Sequence, residues 1–532
     1  MILRLNRARF SWAEGAIWKT RYTPRLSGDG NSGLQREKRM FHVFKLSRRD
    51  GILCAMVATL IAALPTPSRG ETPFDALLKQ VSNDANVLVL IDAEKIRRSE
   101  FARDIAAEDP DASANAHVVP RSELSQVVLA ARIRGFRESM IDWQTALLQL
   151  KTEPSAAGVA AMYGGSIEEI GKTEYAVLPY GAVAVAAGKN VLAVLTPPDR
   201  QQVARVVRQS TATRPAPLEG YLGALNPAGS DALIAVDVDG MFSRSQIRGG
   251  IESSDTFRDR RDQRETAIGV LSTLEGLTVR VQLRKMPRAE LTVDFSQPIP
   301  DMSAWSKDLL KEILMDTGAW LDDIDAWEVR QEGRKLIIGG PISLSGLRQL
   351  FSLLDFPTEV PAEFRPGAKL SPEKERQLAA KASLSRFRAC EKLVSDLKKD
   401  NRARTSRIGE SALWFDRYAR KIETLPSLHV DPAVLEYCDD VVLRLRIQAT
   451  RYRMGSLKIS QQATTPNLFW GYFNNYYGST YAVWTRTESD ADRTRRYERS
   501  AAAGDRAEQF QAIAEEGTKV RREMTMKYNV EF

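Results

Sequence analysis

The chain has 532 residues, of which 43% are hydrophobic and 27% charged, with a formal net charge of +8 and a sequence pI near 9.2. That positive balance does not signal a nucleic-acid binder. The first 70 residues hold 13 Lys+Arg against 4 Asp+Glu, and the remaining chain holds 63 against 64, so the basicity belongs to the N-terminal segment.

Residues 40–70 read as a signal peptide. Arg48 and Arg49 precede an uncharged run over 52–64, and Ser68 and Gly70 suit a peptidase that cuts before Glu71. At about 1.5 Å per residue the run covers roughly 20 Å, short of the ~30 Å hydrocarbon core, so a cleaved leader is expected rather than a spanning helix. The pair of arginines resembles a twin-arginine export signal, but Gly51 stands where that signal prefers Phe, which favours general secretion. Met40 would give the leader an ordinary basic n-region, so residues 1–39 read as a mis-called start or a disordered arm. The chain is then expected in the periplasm or outside the cell.

Two matches at one spacing organise the next segment. Residues 87–96 read VLVLIDAEKI and residues 232–241 read ALIAVDVDGM, which sets Asp92 against Asp237, 145 residues on. Gly188 and Gly333 repeat that offset, each opening a turn into an apolar strand. We therefore expect a duplicated strand-rich α+β unit, with a first repeat over 71–215 and a second over 216–356. The pattern of apolar runs between turns predicts strands near 86–91, 126–134, 146–151, 174–178, 182–186 and 191–196 in the first repeat. In the second it predicts strands over 277–283 and 289–295 and a hairpin over 326–338. A charged helix over 255–274 and an amphipathic helix over 303–315 interrupt them. Such halves imply an antiparallel or mixed sheet with helices on one face.

Pro357, Pro361, Pro366 and Gly367 mark a linker over 357–370. Beyond it the pattern turns helical. Ser371-Pro372 and Asp431-Pro432 are a cap and first position, helices are expected over 371–399, 409–425 and from 431, and a long charged helix spans 487–527. A helical bundle, helical hairpin or coiled coil over 371–532 fits. Cys390 and Cys438 both fall in this region; an oxidising compartment would join them if their helices are neighbours, and two buried free thiols are the alternative. Residues 366–532 carry net +8 and residues 71–365 net −9, so the two parts should attract each other, or the tail an acidic partner.

The order of segments resembles a family of uncharacterised exported proteins from planctomycete-like bacteria. The residues that carry the resemblance are NVLVLIDAEKI over 86–96 and LWFDRYARKIETLPSLHVDP over 413–432, within a match spread over most of 71–455. It implies an envelope location and no reaction.

Four motifs invite chemistry. LIAVDVDG over 233–240 resembles the first motif of haloacid-dehalogenase-like phosphohydrolases, which would make Asp237 the nucleophile and Asp239 the general acid beside Mg²⁺, with Asp322 and Asp323 imitating the later acidic motif. Met241 replaces the usual Thr or Val, no apolar strand leads into Asp322, and the duplicate has Ala93-Glu94. The plainer reading makes Asp92 and Asp237 helix caps. Gly171-Lys172-Thr173 has the end of a phosphate-binding loop without its beginning and reads as a hairpin turn. Ser371 and Lys374 have the spacing of a penicillin-binding serine and lysine, yet Pro372 explains Ser371 as a cap. His117 and His429 have no ligand-like spacing to a cysteine pair.

One segment is built for contact. Trp470, Tyr472, Phe473, Tyr476, Tyr477 and Tyr481 crowd the run 467–484, with Phe469 and Trp484 beside them and Asn and Gly between. Aromatic faces among amides stack on sugar rings or on another chain's aromatics; a loop packed on its own bundle is the structural alternative. The sequence thus points to a non-enzymatic envelope protein that binds a cell-wall polymer or another envelope protein, with a metal-dependent phosphohydrolase as the alternative. No cofactor, metal or nucleic acid is expected.

Overall fold

The structure, a computed structural model, describes residues 74–108, 118–134, 141–209, 229–354, 356, 357, 359, 371–400, 412–464 and 490–532. Residues 1–39 and 40–70, expected as an arm and a leader, lie outside the described residues, as do His117 and the aromatic run 467–484. The described residues belong to one compact unit.

Among the described residues, twelve strands make one sheet. They are β1 (Val87–Asp92), β2 (Leu124–Ile133), β3 (Ile141–Leu150), β4 (Ser166–Ile170), β5 (Thr173–Leu178), β6 (Ala182–Gly188), β7 (Val191–Thr196), β8 (Ala232–Asp237), β9 (Leu274–Gln282), β10 (Arg288–Phe295), β11 (Glu328–Glu332) and β12 (Lys335–Pro341). Their spatial order is β11-β12-β10-β9-β8-β1-β2-β3-β7-β6-β5-β4, and each neighbouring pair is antiparallel. β1 and β8 meet in the interior of the sheet, where Leu88, Val89 and Leu90 lie opposite Ala235, Ile234 and Leu233. Outward from β1 the order is β2, β3, β7, β6; outward from β8 it is β9, β10, β12, β11.

Alternate side chains feed two layers, as a pleated strand requires. Val89, Ile91, Val127, Leu129, Ala146 and Leu148 point to one face, and Leu88, Leu90, Val128, Ala130, Leu147 and Ala193 to the other. Each such Val or Leu contributes roughly 1.5–3 kcal/mol by leaving water.

The helices of the sheet region are α1 (Asp75–Leu78), α2 (Ala93–Arg98), α3 (Glu100–Glu108), α4 (Ala156–Tyr163), α5 (Arg200–Gln209), α6 (Arg244–Ser253), α7 (Arg264–Leu271), α8 (Ser306–Thr317) and α9 (Leu344–Ser352). The expected single helical face needs correction. Leu77 and Leu78 of α1 and Val203 of α5 pack on the Leu88 and Leu90 face, whereas the other helices contribute to the Val89 face.

The charged helix expected over 255–274 is also corrected, because the chain turns at 254–256. Glu312 of α8 accepts hydrogen bonds there from Ser254 Oγ (2.6 Å), Asp255 N (2.7 Å) and Thr256 N (2.9 Å), which ends α6, and helix resumes with a 3-10 turn over Arg261–Gln263 that leads into α7.

The described part of the C-terminal region is mainly helical: α10 (Pro372–Asp400), α11 (Ala412–Glu423), α12 (Pro432–Thr464) and α13 (Asp490–Tyr528). Phe387, Phe415, Tyr418 and Val434 belong to the same buried cluster as Val89 and Ile338, so the helices and the sheet share a core. α11 bridges the sheet. At one end Leu413 N donates to Gly318 O and Trp414 Nε1 to Trp320 O; at the other Arg420 donates to Tyr180 O, and Ser427 N and Leu428 N both donate to Met162 O.

Candidate functional site

Asp92 and Asp237 do different jobs. Asp92 accepts from Lys95 N (2.9 Å) and caps α2, as the plainer reading held. Asp237 does not cap a helix. It accepts from Asp239 N (3.0 Å) and closes a turn through Gly240, whose φ of +66° suits a residue without Cβ, and α6 begins later with Ser243 as its own cap.

Asp237 is half-buried and Asp239 exposed, on a strand flanked by antiparallel neighbours. Asp322 accepts from Trp320 Nε1 (2.8 Å), while Asp323 accepts from Ser343 N and Ser343 Oγ (both 3.0 Å) at the start of α9. Burial pushes the Asp323 carboxyl up, against those bonds. Among the described residues no group of three or more His, Cys, Asp or Glu is arranged to hold a metal ion.

Gly171 and Lys172 form the turn between β4 and β5, and Gly171 has φ +65°. Ser371 Oγ accepts from Lys374 N (3.4 Å) as a cap of α10. His429 lies in the short connection before α12 with φ +60°.

α12 and α13 lie antiparallel: Tyr528 donates to Asp431 (2.6 Å), Arg444 to Gln509 (3.1 Å), and Arg451 pairs with Asp505. The chain that joins their far ends, Thr464 and Asp490, contains the run 467–484. No helix among the described residues is long and apolar enough to cross a membrane.

α10 and α12 run side by side in the same direction. Ser383 Oγ accepts from Asp431 N (2.8 Å), the Phe387 and Tyr437 ring centroids are 5.4 Å apart, and Tyr437 donates to Glu391. Between these contacts Cys390 and Cys438 are hydrogen-bonded to each other, fully buried and present as free thiols. The bond to Cys438, with burial, pushes the Cys390 thiol up; that same bond and the Arg386 guanidinium draw Cys438 down. Arg386 meanwhile donates to the Ile422, Leu425 and Pro426 carbonyls, capping the C-terminal end of α11.

Sequence reasoning missed the polar groups that hold this arrangement together. Asp431 accepts from Tyr528 and pairs with Lys527 (2.6 Å), and Arg348 of α9 makes a buried bidentate pair with Asp396 of α10. Their partners lie 48 to 97 residues away in sequence, so no local spacing signals them.

The fold defines an α+β protein built on one twelve-stranded antiparallel sheet with a helical C-terminal region. No family model matches the sequence, nor does any curated protein. A solved structure described as "Structure of crystal form I of TP0453" is similar over 52% of this chain and 95% of its own, at 13% identity and a TM-score of 0.30. A likeness of that size carries no argument.

Proposed function

We propose that this chain is an exported, non-enzymatic protein of the cell envelope that binds a cell-wall polymer or another envelope protein, and that it is related to the exported proteins it resembles in sequence. The observation that carries the binding reading is the antiparallel pair of α12 and α13, with eight aromatic residues in the chain between their far ends. Export rests on Arg48, Arg49 and the uncharged run 52–64.

Fractionation of the native cells tests both parts. The expected result is a chain beginning near Glu71 in the envelope fraction, released when Trp470, Tyr472, Phe473, Tyr476 and Tyr477 are replaced by Ala with an unchanged melting temperature. Recovery of intact residues 52–64 from the cytosol would overturn export. Mg²⁺-dependent turnover of a simple phosphate ester, lost in Asp237→Asn, would overturn the non-enzymatic reading.

The same proposal includes duplication of the sheet unit. The shared outward order of strands and the repeated 145-residue spacing support it. Replacing residues 87–92 by the sequence of residues 232–237 should leave a folded chain with modest loss of stability; failure to fold would count against common descent of the two strands.

A further inference from the structure

We propose that Cys390 and Cys438 close to a disulfide that ties α10 to α12 when the chain folds in contact with a disulfide oxidant. Both side chains have 0% exposure, and the two thiols already hydrogen-bond to one another. Their helices are pinned on either side of the pair without help from the bond, by Ser383 to Asp431 before it and by Phe387, Glu391 and Tyr437 around it. A disulfide between them would set the two sulfurs about 2.05 Å apart.

The exchange balances with any small disulfide R–S–S–R. While the chain is still folding, Cys438 loses its proton and its thiolate attacks one sulfur of R–S–S–R, forms a mixed disulfide and expels one RS⁻ that takes up that proton. Cys390 then loses its proton and attacks the Cys438 sulfur, breaking the mixed disulfide and releasing the second R–SH. Two protein thiols are oxidised and one external disulfide is reduced to two thiols. The buried position confines this exchange to a chain still completing its fold, and packing afterwards shields the bond from reductants.

The inference goes beyond the envelope reading and rests on it only for the oxidant met in the cell. A refolding experiment separates the two. The full chain carrying Cys54→Ser is unfolded in reductant, refolded with oxidised glutathione or with reduced glutathione alone, then alkylated in denaturant and weighed. The oxidised sample should be about 2 Da lighter than the unmodified reduced polypeptide, take no alkyl group, yield a Cys390–Cys438 linked peptide and melt several degrees higher. The reduced sample should take two alkyl groups. If both samples have the same folded circular-dichroism spectrum yet both take two alkyl groups, or if the oxidised one carries glutathione or links to a second chain, the inference is overturned. Cys390→Ala and Cys438→Ala should each leave one thiol and no linked peptide, whatever their effect on folding. Because the oxidant is supplied in the tube, a cytosolic location of the native chain would sink export and leave this result standing.

Discussion

Val89 lies opposite Ile234 where β1 meets β8, and the two residues are 145 positions apart, the spacing that also separates Asp92 from Asp237. Val89 is 1% exposed while Ile234 is only half-buried, so the joint is packed unequally. Val89→Ala should cost about 2 kcal/mol and Ile234→Ala about 1 kcal/mol in urea unfolding. An equal or reversed order would show that the two sides of this joint are not packed as described.

The Arg348–Asp396 pair joins α9 to α10 and is buried on both sides. Replacing one partner leaves a charge in a dry site, so Asp396→Ala should destabilise by about 3–5 kcal/mol. The double replacement Arg348→Met, Asp396→Leu should recover most of that loss, because two desolvated charges are exchanged for apolar packing. A double variant as unstable as the single one would show that the pair itself holds the helices together.

Glu312 should make stability fall in acid. Burial opposes its ionised form, but the hydrogen bonds from Ser254, Thr256 and Asp255 outweigh that penalty and hold its carboxyl below the usual range. A depressed folded value contributes stability that is present above the unfolded value of 4.5 and lost as pH falls through the lower folded value. Glu312→Gln should cost about 1–3 kcal/mol at pH 7 and progressively less below pH ~4.5. A variant whose deficit is constant from pH 7 to pH 3 would refute the linkage.

At the other extreme of pH the clip between α12 and α13 should open. Burial and the hydrogen bond to Asp431 push the Tyr528 phenol up to about 12 from 10.0. A raised folded value contributes stability that is complete below pH 10 and lost as pH rises through about 12. Tyr528→Phe should remove that part of the alkaline decline, read as hydrogen exchange of the last turns of α13. Identical exchange in parent and variant at pH 11 would rule the clip out.

Much of the scaffold was legible because its signals are local. Ser371-Pro372 and Asp431-Pro432 do begin helices, β2 and β7 fall where apolar runs between turns place them, β9 follows its alternation, and the hairpin expected at 326–338 turns at Gly333 with φ +62°. β4 was missed because its residues, Ser-Ile-Glu-Glu-Ile, are almost all exposed at the sheet edge and show no alternation of burial. The helix expected over 255–274 failed for a different reason: Glu312, more than fifty residues on, draws the backbone of Asp255 and Thr256 into a turn. The candidate site was legible in part. The nearness of Cys390 and Cys438 follows from the side-by-side course of α10 and α12, which depends on Phe387 and Tyr437 meeting across 5.4 Å and on no spacing within either helix.

α11 gives the sheet a mechanical property that twelve strands alone lack. A long antiparallel ribbon can twist about its own axis with little penalty, since each ladder tolerates a range of interstrand angles. Here one short helix is anchored through Gly318 and Trp320 on the β8 side and, at its far end and the turn beyond, through Tyr180 and Met162 on the β1 side. It acts as a tie-bar across the joint between β1 and β8. Torsion applied at either edge strand is therefore carried by the helix as tension, and the two halves are held at a fixed angle.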